Sequence, residues 1–352
     1  MDRIPTFEGC FVRRFTKCLR SLLDMALASP LMELPLMAAD RDRVEAALLN
    51  AVRTSDPYLT EVASHLIVAG GKRLRPVMTI AAAQVGSPDA VANDVILGGI
   101  ACELVHLGSL YHDDVMDEST TRRGVETVNA KWGNLQAIVA GDFLLARASE
   151  IAASLGNEVS GLLARTIGRL CEGQVEELRH TYDRGRSVPS YLVSIQGKTA
   201  SLFATSARIG SMVAGHSTDI TDTITNVADA YGMVFQIVDD VLDIVATDEQ
   251  LGKPAGHDLE EGVYTLPVLL SLAADTAESR ELYDLLGTPL TAKERTKALK
   301  IVRNGTGLAG ALESARNYVA IAEAECAKLP SGVATEALRR APRALLESLV
   351  DL

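Results

Sequence analysis

Alternating β-branched runs are nearly absent from this 352-residue chain, and without them a sandwich, a barrel or a parallel sheet has no strands to draw on. No charge-free run approaches the roughly 18 residues that a transmembrane helix needs, so any membrane contact is expected to be peripheral. The five cysteines, Cys10, Cys18, Cys102, Cys171 and Cys326, are odd in number and nowhere spaced CxxC. That fits reduced thiols in a cytoplasmic protein better than a disulfide framework or a cysteine zinc site. Cationic excess is lacking too. The formal net charge is −12, which repels nucleic acid and anionic membranes and requires any anionic substrate to be held by local cations. Short-period repeats and low-complexity tracts are missing as well, and no linker divides the chain.

What is present is ample apolar content, 47%, enough for a large core. Glycine and proline fall between segments, and the segments are predicted to be helices over residues 41–54, 57–69, 76–86, 89–117, 130–154, 158–181, 188–214, 219–246, 264–284 and 291–303, with two more toward the C-terminus. Several are apolar around much of their circumference, as in one large bundle. The expected fold is all-α and single-domain over 41–352. Residues 1–40, with Arg3, Arg13, Arg14, Lys17 and Arg20 ahead of an apolar stretch broken by Asp24, Pro30, Glu33 and Pro35, are expected to form a flexible extension rather than a signal peptide.

Within this apolar pattern stands LYHDDVMDES (110–119), which places Asp113, Asp114 and Asp117 at the end of a helix otherwise fit for burial. The arrangement recurs as FQIVDDVLDI, with Asp239, Asp240 and Asp243. Positions i and i+4 share a helix face, so Asp113 with Asp117, and Asp239 with Asp243, are each expected to present two carboxylates to one space. Hard oxygen donors without thiolate suit magnesium, which keeps room for water and substrate phosphates, so the substrate is expected to carry phosphate. Cations stand nearby in GGKRLRP (70–76), with Lys72, Arg73 and Arg75 beside the amides of a helix start, and in TTRRG (120–124), with Arg122 and Arg123. Arginine grips phosphate oxygens in a fork, and lysine acts as a point charge.

The ordered motifs GGKRLRP, HDDVMDESTTRRG, GKTASLF, FQIVDDVLDI and GKPAGHDLEEGVYTLP resemble those of the trans-isoprenyl diphosphate synthases, or polyprenyl synthetases, over roughly residues 41–350. The resemblance implies an all-α bundle around a central cavity, usually a homodimer. It implies an enzyme that condenses isopentenyl diphosphate head-to-tail with an allylic diphosphate, using magnesium. By the same resemblance, Asp113, Asp117 and Asp239 bind metal, supported by Asp114, Asp240 and Asp243. Lys72, Arg75, His106 and Arg123 grip isopentenyl diphosphate, while Arg122, Lys198, Thr199, Gln236 and Lys253 contact the allylic substrate. One departure is that Val263 stands where the family often has lysine.

Upstream of Asp113 lie Gly108 and Ser109 one turn back, Val105 two turns back, and Ala101 with Cys102 three turns back. All are small or medium, where short-chain members of the resembling family often carry aromatics. A long-chain product for a quinone side chain is therefore expected over a farnesyl or geranylgeranyl diphosphate, with Gly108, Ser109 and Val105 setting chain length. The competing use of Gly108 and Ser109 is close helix packing. A different class of protein, a di-iron carboxylate bundle, is suggested by two ExxH pairs, Glu103 to His106 and Glu177 to His180, but it leaves both aspartate motifs idle. A non-catalytic partner subunit is a further alternative, against which the intact aspartate motifs argue. GTGLAG (305–310) spells a dinucleotide fingerprint without the preceding strand, and Asn304 with Gly305 reads instead as a helix stop.

Overall fold

The computed structural model describes residues 29–87, 89–246 and 255–349. A turn of 3-10 helix at Pro30–Glu33 leads into α1 (Met37–Ala51), and Leu31, Leu34 and Met37 are 1%, 4% and 1% exposed. The folded body therefore takes in residues 29–40, because apolar residues spaced by three fall on one side of this short lead-in. Residues 1–28 lie outside the described residues.

The chain continues through α2 (Pro57–Val68), α3 (Leu74–Ala83) and α4 (Asn93–Met116). Asp56 caps α2 by accepting the Tyr58 N–H, with Pro57 at the first helical position where no amide is needed. α3 starts two residues before Pro76, which sits in the first turn for the same reason. After α4 comes a hairpin, β1 (Thr121–Arg122) and β2 (Val125–Glu126), turned by Arg123 and Gly124 at φ 54° and 78°. Two consecutive left-handed residues make the tight turn that suits the twist of a two-residue hairpin loop. These are the only strands among the described residues.

Then follow α5 (Val128–Trp132), α6 (Asn134–Ser154), α7 (Asn157–Arg179) and α8 (Val188–Ile195). A π-helical turn at Gln196–Ala200 joins α8 to α9 (Ser201–Val213), so the single helix expected over 188–214 carries an irregular turn. α10 (Thr218–Val245), α11 (His257–Glu260), α12 (Leu266–Ala273), α13 (Ala277–Leu285), α14 (Ala292–Asn304), α15 (Gly307–Cys326) and α16 (Val333–Glu347) complete the bundle. The expected helix 264–284 is two helices, since Thr276 and Ser279 form a capping box that starts a new one. α14 stops at Asn304 as predicted. Gly307 opens α15, and a Cβ there would lie 2.3 Å from the Pro267 carbonyl oxygen, so GTGLAG serves helix packing.

α4 lies at the centre, buried along most of its length between α3, α6 and α9. By length and composition it alone among the described helices could cross a membrane, yet 72% of its apolar window is buried inside the protein. Gly108 settles into the seam with α6, where a Cβ would stand 3.0 Å from the Gly141 carbonyl oxygen. Its smallness is thus used for helix contact, the competing use weighed for it in the sequence. Val105 is 1% exposed in the core, and Ser109 is half-buried, with its hydroxyl donating to the His106 carbonyl at 2.9 Å.

Candidate active site

Asp113, Asp114 and Asp117 close the last turn of α4, and Asp239, Asp240 and Asp243 lie near the end of α10. A lysine and a glutamate together link the two helix ends. Lys198 Nζ donates to Glu177 Oε1 at 2.7 Å, and it has Asp113 and Asp117 as electrostatic neighbours. Glu177 also faces Asp240, whose neighbour in the chain is Asp239, and Lys72 stands within electrostatic reach of Asp239. Both aspartate motifs therefore converge on one region.

The six carboxylates divide by task. Asp114 is fully buried, and its Oδ1 accepts from Arg122 Nε at 2.6 Å while its Oδ2 has no partner among the described residues. Asp240 accepts from the Tyr191 hydroxyl and from Gln236 Nε2, the latter at 2.8 Å, and Gln236 Oε1 accepts from the Thr199 hydroxyl at 2.7 Å. Asp243 accepts the backbone N–H groups of His257 and Asp258 at 3.3 Å each, tying α10 to the start of α11. Asp243 is thereby engaged with α11, although it shares a helix face with Asp239. Asp117 and Asp239 are the solvent-exposed members of the six, and Asp113 is half-buried.

Burial makes Asp113, Asp114, Asp117 and Asp240 reluctant to ionise. It pushes Asp113 up, against the pull of Lys198 and Arg122. Asp117 rises to about 6, first by burial and then by the Glu261 carboxylate. Asp240 rises to about 8, again by burial first. A cluster of acids held away from water and from enough positive charge is a site prepared for cations. Among the described residues, no group of three or more His, Cys, Asp or Glu side chains is arranged to hold a metal ion. A hard divalent ion that takes few protein carboxylates and completes its shell with substrate oxygens and water suits such a donor set.

The π turn explains how Lys198 and Thr199 reach the site. A Cβ on Gly173 of α7 would lie 2.5 Å from Lys198 N, and one on Gly197 would lie 2.9 Å from the Arg169 carbonyl oxygen. Two glycines let the backbones touch, which brings Glu177, one turn beyond Gly173, to the Lys198 ammonium. A wider turn of this kind is frequent at functional sites.

The basic loops split in an unexpected way. Arg73 is not a phosphate cation: it is 1% exposed, with Nε and Nη2 on Glu45 at 2.7 and 3.0 Å, Nη1 on Glu103 at 3.2 Å and Nη2 on the Ile67 carbonyl at 2.9 Å. Arg123 donates to the Leu66 carbonyl at 2.9 Å and to the Gly70 carbonyl. These two arginines satisfy carbonyls at the end of α2 and hold the loop carrying Lys72 and Arg75. Arg75 Cζ packs 4.6 Å from the centroid of the Phe203 ring, with its Nε unpartnered among the described residues. His106 lies among Arg75, Arg123, Arg122 and Arg73, and burial and this positive field hold it well below the usual histidine range. Lys253 lies outside the described residues.

Glu177 was legible only weakly, through an ExxH pair that has another use, and Tyr191 not at all. The ExxH residues are engaged elsewhere. Glu103 pairs with Arg73, Glu177 with Lys198, and His180 with Asp183 at 2.6 Å, so the di-iron arrangement finds no support among the described residues.

Comparison with known proteins agrees with this geometry. A sequence model of the polyprenyl synthetase family matches residues 56–302. The chain is similar to a nonaprenyl diphosphate synthase of Mycobacterium tuberculosis, 40% identical over 82% of this chain and 86% of that one. It is 41% identical to component 2 of a heptaprenyl diphosphate synthase of Geobacillus stearothermophilus, over 69% and 76% of the two chains. Its backbone superposes on a polyprenyl synthase of Caulobacter crescentus, crystallised with calcium and isoprenyl diphosphate, with a TM-score of 0.83, 32% identity and coverage of 92% and 97%.

Proposed function

The chain belongs to the polyprenyl synthetase family and is a prenyltransferase, and on that premise we propose that it extends an allylic diphosphate with isopentenyl diphosphate to a long trans polyprenyl diphosphate, using magnesium. The observation that carries this reading is the meeting of two acidic helix ends around Lys198 and Glu177, with Asp113 and Asp117 made reluctant to ionise by burial. Asp113, Asp117 and Asp239 would hold the magnesium ions. When bound, magnesium supplies positive charge that lowers the cost of releasing the allylic diphosphate.

The protein's own groups do the rest. Lys198, Arg122, Thr199, Gln236 and Lys253 are assigned to the allylic diphosphate, and Lys72, Arg75, His106 and Arg123 to isopentenyl diphosphate. Cationic side chains held in a low-dielectric site stabilise the negative charge that grows on the leaving group. The allylic cation left behind is attacked by the double bond of isopentenyl diphosphate, and a proton is lost to the departed diphosphate. Apolar walls keep water from the cation.

The long-chain assignment rests on the absence of an aromatic at Ser109 and Val105 and on the nonaprenyl and heptaprenyl products for which the relatives above are named. A homodimer is assigned to α6 and α7, where Leu135, Val139, Val175 and Leu178 are 76%, 61%, 45% and 51% exposed. A cytoplasmic location is assigned because Cys102, Cys171 and Cys326 are unpaired thiols. The deciding experiment supplies labelled isopentenyl diphosphate with dimethylallyl, geranyl, farnesyl or geranylgeranyl diphosphate and resolves the products by length. Products of several added units are expected. Elongation of no primer would sink the assignment, and termination at farnesyl or geranylgeranyl diphosphate would make it a short-chain enzyme.

A further inference from the structure

Arg186, in the loop between α7 and α8, is a charge that the site described so far leaves unused. It is 5% exposed, and its Nε and Nη2 atoms are buried without a hydrogen-bond partner among the described residues. A buried cation with empty donors is among the more costly arrangements a fold can keep. Nε and Nη2 form one edge of the guanidinium fork, the edge that accepts a carboxylate or phosphate side-on through two parallel hydrogen bonds. On three other arginines of this chain the same edge is filled. Glu45 fills it on Arg73 at 2.7 and 3.0 Å, Glu336 on Arg339 at 2.8 and 2.6 Å, and the Ile244 and Ala246 carbonyls on Arg303 at 2.6 and 3.2 Å.

The acids around Arg186 are already engaged. Its electrostatic neighbours are Glu177, Tyr191, Glu176 and Asp240. Glu177 accepts from Lys198, Glu176 from Ser190, and Asp240 from Tyr191 and Gln236. The guanidinium carbon lies 5.6 Å from the centroid of the Tyr191 ring, whose hydroxyl donates to Asp240. Its loop is also fixed in place. Arg186 N donates to the Asp183 carbonyl at 3.2 Å, Tyr182 N to the Gly262 carbonyl at 2.8 Å and the Tyr182 hydroxyl to the Glu260 carbonyl at 3.0 Å. The loop is thereby pinned to the segment in which Val263 offers no charge.

We propose that Arg186 is a substrate-binding residue whose empty edge takes two oxygens of the allylic diphosphate. The inference rests on the prenyltransferase reading above and adds one contact to it. The allylic substrate is chosen over isopentenyl diphosphate because Arg186 shares Glu177 with Lys198 and Asp240 with Gln236. Arg75 and Arg123, by contrast, have Glu103 as their first acidic neighbour.

The test uses the full chain with magnesium, varying farnesyl diphosphate and isopentenyl diphosphate in turn, for wild type, Arg186→Met and Arg186→Lys, together with calorimetric binding of inorganic pyrophosphate. Loss of two charge-assisted hydrogen bonds raises the KM for farnesyl diphosphate and weakens pyrophosphate binding by roughly 10- to 100-fold. The KM for isopentenyl diphosphate stays at its wild-type value, and lysine, which keeps the charge without the fork, falls between. An unchanged allylic KM with unchanged pyrophosphate binding in Arg186→Met, or equal rises for both substrates, overturns the proposal. So does a variant in which only the melting temperature falls. If Arg186→Met does not fold, Arg186→Lys decides, and wild-type values in it are fatal. A wild-type chain that elongates no primer refutes the enzyme reading instead, and pyrophosphate binding then still tests Arg186.

Discussion

Asp113 and Asp239 are the residues on which activity should depend most steeply. Asp113→Ala and Asp239→Ala are expected to cut turnover by about two or more orders of magnitude, as removal of a charge-stabilising group does, with little change in melting temperature. Circular dichroism and product formation at saturating magnesium would show this, and near-normal magnesium-dependent rates in both variants would defeat the metal assignment. His106 gives a pH signature instead. Its folded pKa is held below that of the unfolded chain, about 6.5, by burial and by the arginines around it. Between the two values the unfolded chain binds the extra proton, so this group's contribution to stability is present above about pH 6.5 and is lost as the pH falls. His106→Gln should therefore flatten the decline of melting temperature on acidification below that point. An unaltered acid limb would show that His106 is ordinary in its titration. The aspartates and most cations were readable as residue types at fixed spacings. The division of labour among them was not, because it depends on what each side chain meets: Arg73 finds Glu45 and Glu103, and Asp243 finds the amides of α11.

Elements were legible wherever apolar period and stop signals agreed, as in α2, α10 and α14, whose ends fall within two residues of those expected. Three features escaped. The hairpin β1–β2 is too short to show alternation, and its turn uses Arg123, which sequence statistics do not favour at positive φ. The division between α12 and α13 was signalled by the Thr276 and Ser279 cap but masked by apolar residues on both sides. The π turn leaves no pattern of its own, since one extra residue in a helix changes only the phase. Gly173→Ala tests its setting, because the added methyl must displace Lys198 N or α7. Overpacking of this kind costs roughly 1–3 kcal/mol, so a lowered melting temperature should accompany a raised KM for the allylic substrate. Unchanged kinetics would mean that the contact between Gly173 and the π turn does not position Lys198.

For the whole molecule, the open question is where the growing chain runs. With Gly108 committed to the α4–α6 seam, Ser109 is the position to probe. Ser109→Phe should shorten the longest product resolved by chromatography, whereas Gly108→Phe should chiefly lower the melting temperature, by roughly 1–3 kcal/mol or more in stability. An unaltered product ladder in Ser109→Phe would move the floor of the tunnel to another helix. The π turn at 196–200 also has a meaning at this scale. It lies between the parts of the chain that supply the two aspartate motifs, and it holds one residue more than the α-helical turn it replaces. Deleting that residue would leave a smoother helix, yet it would turn one part against the other by about 100° and shift it about 1.5 Å. Loops elsewhere can gain or lose residues at small cost, but here the count of residues is itself fixed. Repairing the irregularity would improve the helix and dismantle the site.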